Sequence, residues 1–228
     1  MTQPPLVSIV TPSYNQAQFL EETMLSVLSQ DYPNIEYLVI DGGSSDGSAE
    51  IIRRYADRLA FWVSEPDRGQ AHALQKGFAR ALGEIIAFLN SDDVYLPGAV
   101  ATAVEILQDD PELMMVHGDS IYVDAAGQEI GRKVGAGGDF LSHFLRQFNP
   151  ISQPSTFLRR SAYDIAGGID PTLHLAMDYD AEKRAYTRYM REIMAVDGIQ
   201  DGYYKLTELK RWTGHGWTPL REGMERWA

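Results

Sequence analysis

Two adjacent carboxylates, Asp92 and Asp93, follow an apolar run and the pair Asn90-Ser91. Like charges side by side at a strand end repel, and each raises the cost of ionising the other. A hard divalent cation relieves that cost. Mg²⁺ and Mn²⁺ take few protein carboxylates and complete their shells with water and phosphate oxygens. An ion held this way would bridge a diphosphate and stabilise the charge on a departing phosphate oxygen. The same dipeptide also reads as a turn or helix cap ahead of Val94-Tyr95-Leu96-Pro97.

Three other polar clusters have the same placement, each directly after an apolar run. They are Thr11-Pro12-Ser13-Tyr14-Asn15, Asp41-Gly42-Gly43-Ser44-Ser45-Asp46-Gly47 and Ser64-Glu65-Pro66-Asp67-Arg68-Gly69. At a strand rim the Asp41 carboxylate could accept hydrogen bonds from a base imide or a ribose hydroxyl. Gly42 and Gly43 allow the backbone close to a ligand. A glycine-rich turn with Ser44 or Asp46 capping the next helix accounts for the same residues, and the two readings are compatible.

The elements that position these clusters are legible in the pattern. Leu6–Thr11, Ile35–Asp41, Leu59–Val63 and Ile85–Asn90 are short runs, β-branched or aromatic-rich and bounded by turn residues, which predict buried strands. Between them, Ala17–Gln30, Asp46–Leu59 and Gln70–Leu82 carry apolar residues at helical spacing. Strand–helix alternation at about 25–30 residues predicts right-handed βαβ units and a parallel sheet, with ligands beyond the carboxyl ends of the strands. All four polar clusters then open on one edge. Further on, Pro97–Asp109 predicts a helix, Leu113–Tyr122 and Ser155–Arg159 predict strands, and Ala136–Phe148 reads as loop then helix. Ala181–Met194 has helical composition, and residues 197–228 show little periodicity.

Composition narrows the chemistry. The chain has 228 residues and no cysteine, which excludes disulfides, thiolate metal sites and cysteine nucleophiles. The net charge is −12 and uneven: residues 1–182 carry 11 basic and 26 acidic side chains, against 9 and 6 in residues 183–228. An acidic body argues against nucleic-acid binding, and a polyanionic ligand would need a cation or a local basic group. No run of about 18 apolar residues occurs and the N-terminus has no basic region, so the expected location is cytoplasmic. No G-x-x-x-x-G-K-[ST] loop is present, and no G-x-G-x-x-G follows the first strand, which disfavours an ATPase and a dehydrogenase.

The motifs VSIVTPSYNQAQFLEETMLSVLSQDYPNIEYLVIDGGSSDGS, SEPDRGQAHALQKGFARALGEIIAFLNSDD, QPSTFLRR and GGIDPTLHLAMDYD, in that order, resemble the family 2 glycosyltransferases of the GT-A fold. The resemblance covers roughly residues 5–180. It implies an α/β, Rossmann-like, mostly parallel central sheet with helices on both faces. It also implies an inverting sugar transfer from a nucleoside-diphosphate sugar, UDP-linked by default, to a sugar or lipid-linked acceptor hydroxyl, in surface polysaccharide or glycolipid assembly. By the same resemblance Thr11, Tyr14 and Asp41 contact the base and Arg68 lies near the base or diphosphate. Asp92 and Asp93 form the ribose and metal pair, with Asp93 on the ion, either Mn²⁺ or Mg²⁺. Gln153 lines the sugar or acceptor pocket, and His215 is a candidate for the metal or diphosphate. The catalytic base is expected at Asp178, ahead of Asp180 and Asp170. His72, His117, His143 and His174 show no ligand spacing.

The chain departs from the family pattern in places. Asn90 stands where relatives usually have Asp, and Gln75 where they tend to have Asn. The polar Ala181-Glu182-Lys183-Arg184 replaces an apolar-aromatic helix. These departures keep open a non-catalytic nucleotide-sugar-binding protein with a decayed acceptor site. The expected division is a nucleotide-sugar-binding and catalytic domain over residues 1–182 and a helical or irregular extension over 183–228. That extension carries Trp212, Trp217 and Trp227 and a net positive charge. It is a candidate for peripheral contact with the inner face of a membrane.

Overall fold

The computed structural model describes residues 3–111, 113–124, 127–134 and 152–172, together with the strand residues 210–212 and 217–219. The first four strands are β1 (Val7–Ser13), β2 (Ile35–Asp41), β3 (Phe61–Ser64) and β4 (Ile85–Phe88). They pair in parallel in the order β3-β2-β1-β4. The intervening helices are α1 (Ala17–Leu28), α2 (Ser48–Arg54) and α3 (Gln70–Phe78). The expected parallel βαβ framework is therefore present.

Alternation along the strands sends successive side chains to opposite faces. Val7 and Ile9 of β1, with Tyr37 and Val39 of β2, meet Leu20, Met24 and Val27 of α1 and Ile52 of α2. Val100, Val104 and Leu107 of α4 (Ala99–Asp109) join the same cluster. On the opposite face Val10, Leu38 and Ile40 pack against Ala71, Leu74 and Phe78 of α3. β1, β2 and β4 are buried on both faces and read as continuous apolar runs, while the edge strand β3 is half-buried along its length and stands out by its aromatic residues.

The second half departs from the expected layout. Leu113–Tyr122 is not one strand but two, broken at Gly118-Asp119. β5 (Met115–His117) joins the main sheet, and β6 (Ser120–Val123) forms a separate antiparallel hairpin with β7 (Glu129–Lys133). β6 and β7 are exposed or half-buried along their length, so β7 carries no apolar run that a sequence pattern could show. β8 (Thr156–Arg159) lies between β4 and β5 and is antiparallel to both. Helix α5 (Arg160–Ala166) follows it, and its Tyr163 ring packs on Phe78 of α3 with centroids 5.0 Å apart.

Two adjacent arginines tie β8 to the flanking layers. Arg159 donates to the carbonyls of Leu107, Asp110 and Leu113, closing the C-terminal end of α4. Arg160 donates to Gly83 O at 2.7 Å and Ala81 O at 2.8 Å, just beyond α3. Each satisfies helix-end or turn carbonyls that have no intrahelical partner.

In the C-terminal stretch, β9 (Lys210–Trp212) and β10 (Trp217–Pro219) pair antiparallel, with Trp212 opposite Trp217. The expected boundary at residue 182 falls outside the described residues, as do the segments Ala136–Phe148 and Ala181–Met194. No helix among the described residues is long and apolar enough to cross a membrane.

Candidate active site

The carboxyl ends of β1, β2, β3 and β4 open together onto a cleft of about 730 Å³. Its walls come from all four strand ends: Ser13 and Tyr14, Gly42 and Gly43, Asp67 and Gln70, and Asn90 to Asp92. Gly42 forms part of the floor between two of these segments. A Cβ there would stand 3.1 Å from Asp67 Oδ2 and 3.2 Å from Tyr14 Cδ2. Gly43 has a φ of +81°, and a Cβ would lie 3.1 Å from the Pro66 backbone nitrogen. Glycine is called for at Gly43 by the left-handed backbone, and at Gly42 it leaves Asp67 and Tyr14 in place where a Cβ would push them back.

The loops after β1 and β2 are stitched to each other. Asn15, at φ 52°, donates its amide to Ser44 Oγ at 2.8 Å and accepts the Ser45 amide on Oδ1 at 3.0 Å. Asp46 accepts the Ala17 amide at 2.8 Å, and also the Ser48 amide and hydroxyl at 3.1 and 2.6 Å. One carboxylate thus serves the first residue of both α1 and α2, the role of an N-cap shared between helices. The Ser48 hydroxyl bond, helped by the Ala17 and Ser48 amides, holds Asp46 below the usual carboxylate range.

The pair Asp92-Asp93 sits in the turn after β4. Asp92 is exposed at the cleft, while Asp93 is half-buried. Burial, with the neighbouring Asp92 charge second, pushes the Asp93 carboxyl up, and the Asn90 hydrogen bond pulls it partly back. Ionising Asp93 is therefore costly without a cation, and the oxygen-only donor set of the two residues suits Mg²⁺ or Mn²⁺. Among the described residues no group of three or more His, Asp or Glu side chains gathers to hold a metal. An ion at the pair would complete its shell from phosphate oxygens and water, as Mg²⁺ sites commonly do. The residues present fit such an ion.

The other expected site residues fall in distinct places. The Tyr14 ring is 62% exposed and lines the cleft. Thr11 is fully buried, and its hydroxyl pairs with Tyr37 Oη at 2.9 Å inside the sheet face. Asp41 is also fully buried. Its carboxylate is occupied by the Gly43 and Ser44 amides and by the Ser44 and Ser64 hydroxyls. Neither Thr11 nor Asp41 lines the cleft; both sit beneath it. Arg68 is exposed beside the cleft, and its amide donates to His72 Nδ1 at 3.2 Å. Gln153 comes close to the acidic pair, with Oε1 accepting from Asn90 at 2.9 Å. Asp178 and His215 lie outside the described residues. Asp67 and Gln70 line the cleft but were not singled out from sequence. Asp67 belongs to the polar cluster after the third apolar run, and Gln70 opens the helix predicted from it, whereas Arg68 was assigned by the family resemblance.

A cleft at the carboxyl edge of an open α/β sheet is where ligands bind in this class of fold, and here it carries an acidic pair at the end of a central strand. The chain belongs to glycosyl transferase family 2, which matches residues 8–163. It is 36% identical over 108 residues to TuaG of Bacillus subtilis, whose name provisionally assigns it to teichuronic acid biosynthesis; the match covers 46% of this chain and 43% of that protein. It resembles the Pyrobaculum calidifontis mannosyltransferase PcManGT, solved with GDP-Man and Mn²⁺, with a TM-score of 0.60 and 26% identity over 83% of this chain and 53% of that one. The fold also matches Staphylococcus aureus TarS 1–349 solved with UDP-GlcNAc, at a TM-score of 0.65 and 19% identity over 80% of this chain and 54% of that one. The chain spans about half the length of the curated relatives it matches.

Proposed function

We propose that this chain is the donor-binding and catalytic part of a metal-dependent, inverting glycosyltransferase acting in surface polysaccharide or glycolipid assembly. The observation that carries this reading is the exposed Asp92 on the wall of a four-stranded carboxyl-edge cleft, with the half-buried Asp93 directly behind it in the chain. The nucleoside-diphosphate sugar enters that cleft. The Tyr14 ring and the Gly42–Gly43 backbone offer a flat wall for a base. Thr11 and Asp41 hold that wall from below. Asp92 faces the ribose, with Arg68 near the diphosphate.

A divalent ion bound at Asp93 would supply positive charge to the leaving diphosphate. The acceptor oxygen attacks the anomeric carbon as the bond from that carbon to the diphosphate oxygen breaks. The acceptor proton passes to a carboxylate, which we assign to Asp178. Gln153 and the segment beyond it line the acceptor side, and His215 is a further candidate on the diphosphate. PcManGT with GDP-Man and Mn²⁺, and TarS with UDP-GlcNAc, support a nucleotide-sugar and a divalent ion in this fold. TuaG supports a polysaccharide context.

A thermal-shift panel of UDP, GDP, dTDP, CMP and ATP, each with and without Mn²⁺, tests the donor site. A ligand at 100 times its dissociation constant stabilises a fold by about 2.7 kcal/mol. A Mn²⁺-dependent shift for one nucleoside diphosphate is expected and names the base. No shift with any of the five would defeat the donor-site reading.

A further inference from the structure

The carboxamide of Asn90 sits at the centre of a directional hydrogen-bond chain. The chain is pinned at one end by the Phe88 carbonyl, which accepts Gln153 Nε2 at 2.9 Å. That bond fixes the orientation of the Gln153 amide and turns its Oε1 toward Asn90, where it accepts Nδ2–H at 2.9 Å. The same Asn90 nitrogen gives its other proton to Asp93 Oδ2 at 3.1 Å. Asn90 Oδ1 is then left as acceptor for Gln70 Nε2, the first residue of α3. Three separate segments meet on one side chain: the turn after β4, the start of α3 and the turn leading into β8.

The residue type is decided by this inventory. Asparagine offers two N–H donors and a carbonyl acceptor on one planar group. An aspartate at position 90 could accept from Gln70 but has no proton for Asp93 or Gln153, and it would add a third carboxylate to an already costly pair. We infer that Asn90 is a positioning residue: it fixes the Asp93 carboxylate for the cation and makes that orientation depend on the seating of α3 and of the β8 turn. The inference rests on the proposed cation role of the Asp92–Asp93 pair. It gives the metal site a support that runs to the acceptor side of the molecule, because Gln153 leads into β8.

Outer-sphere partners of this kind alter metal affinity by about 10–100-fold when removed. The test is a Mn²⁺ titration of nucleotide binding, read by calorimetry with the nucleoside diphosphate that the thermal-shift panel selects. It is run on wild type, Asn90→Ala, Gln153→Ala and the double variant. Asn90→Ala is expected to raise the Mn²⁺ concentration for half-maximal binding about tenfold or more, with nucleotide affinity at saturating Mn²⁺ within about twofold of wild type. Because the two amides act in series, the double variant should be no worse than Asn90→Ala. An unchanged Mn²⁺ midpoint in Asn90→Ala, in a protein whose wild type responds to Mn²⁺, overturns the inference and leaves the donor site standing. Additive losses in the double variant overturn the serial arrangement. A wild type with no Mn²⁺ response removes the cation role itself, and the inference with it.

Discussion

The carboxylate of Asp46 accepts the backbone amide of Ala17 at 2.8 Å, across the gap between the first two βα loops. Since Asp46 also accepts from Ser48, one side chain anchors the starts of α1 and α2 and holds two walls of the cleft at a fixed separation. Asp46→Ala removes both anchors. Capping residues contribute about 0.5–2 kcal/mol. Urea denaturation should show a loss within that range at pH 7. Because the folded carboxyl is held low, its contribution is fully present above the ordinary carboxylate value and is lost as pH falls through the lowered one. The gap between variant and wild type should therefore close at strongly acidic pH.

Asp93 has the opposite sign. Its folded carboxyl is raised, chiefly by burial, so the destabilisation it causes is absent at low pH. It builds as pH rises from the ordinary carboxylate value through the raised one, and is fully present above that. In metal-free buffer at neutral pH, Asp93→Asn should melt at a higher temperature than wild type, since the carboxamide oxygen introduced there can still accept the Asn90 bond. With Mn²⁺ and nucleotide the order should reverse, because the variant gains no metal-dependent shift. A differential scanning experiment with and without Mn²⁺ checks both halves.

Gly77 lies on α3 where the helix crosses β1. A Cβ there would stand 2.4 Å from Val10 Cγ1 and 3.0 Å from Val10 Cγ2, and Val10 is fully buried. Neither side has room to yield. Gly77→Ala should cost about 1–3 kcal/mol by overpacking, despite alanine's better helix propensity. The check is a lower denaturation midpoint with an unchanged m-value.

Asp178→Asn tests the assigned base. Nucleotide affinity should stay near the wild-type value while turnover falls by about 10² or more. Steady-state kinetics beside the thermal-shift panel separate the two effects. Near-normal turnover would move the base to another carboxylate, with Asp180 next in order.

The sequence carried most of the donor half because its strands are buried on both faces and its turns are polar. The runs at Leu6, Ile35 and Ile85 stand out for that reason, and the strand-end rule then led to Tyr14, Asp92 and Asp93. The rule misplaced Asp41 relative to the cleft. Both faces of β2 are covered, Tyr37 and Val39 on one side and Leu38 and Ile40 on the other, so the carboxylate of Asp41 at the strand end stays buried beneath the cleft. The hydroxyl partners that satisfy it come from Ser44 and Ser64, the second on a different strand, and no local pattern announces such a pairing. β7 was missed because Glu129–Lys133 is short, charged and largely exposed. The break at Gly118-Asp119 was missed because both flanks are β-formers.

The central position of β8 has a consequence for how the molecule is made. β5 is synthesised before β8, yet β8 lies between β4 and β5 in the finished sheet. While the chain is being extruded, the first four strands can pair from local connections alone. The β4 margin stays open until residue 159 has emerged, with Ile85 and Ile86 still lacking the β8 neighbours they face in the native sheet. An unpaired apolar margin is a template for pairing with other chains. Truncations that stop short of Thr156 should therefore aggregate rather than yield a soluble donor-binding fragment, and chaperone dependence should be concentrated in the interval between completion of β4 and arrival of β8.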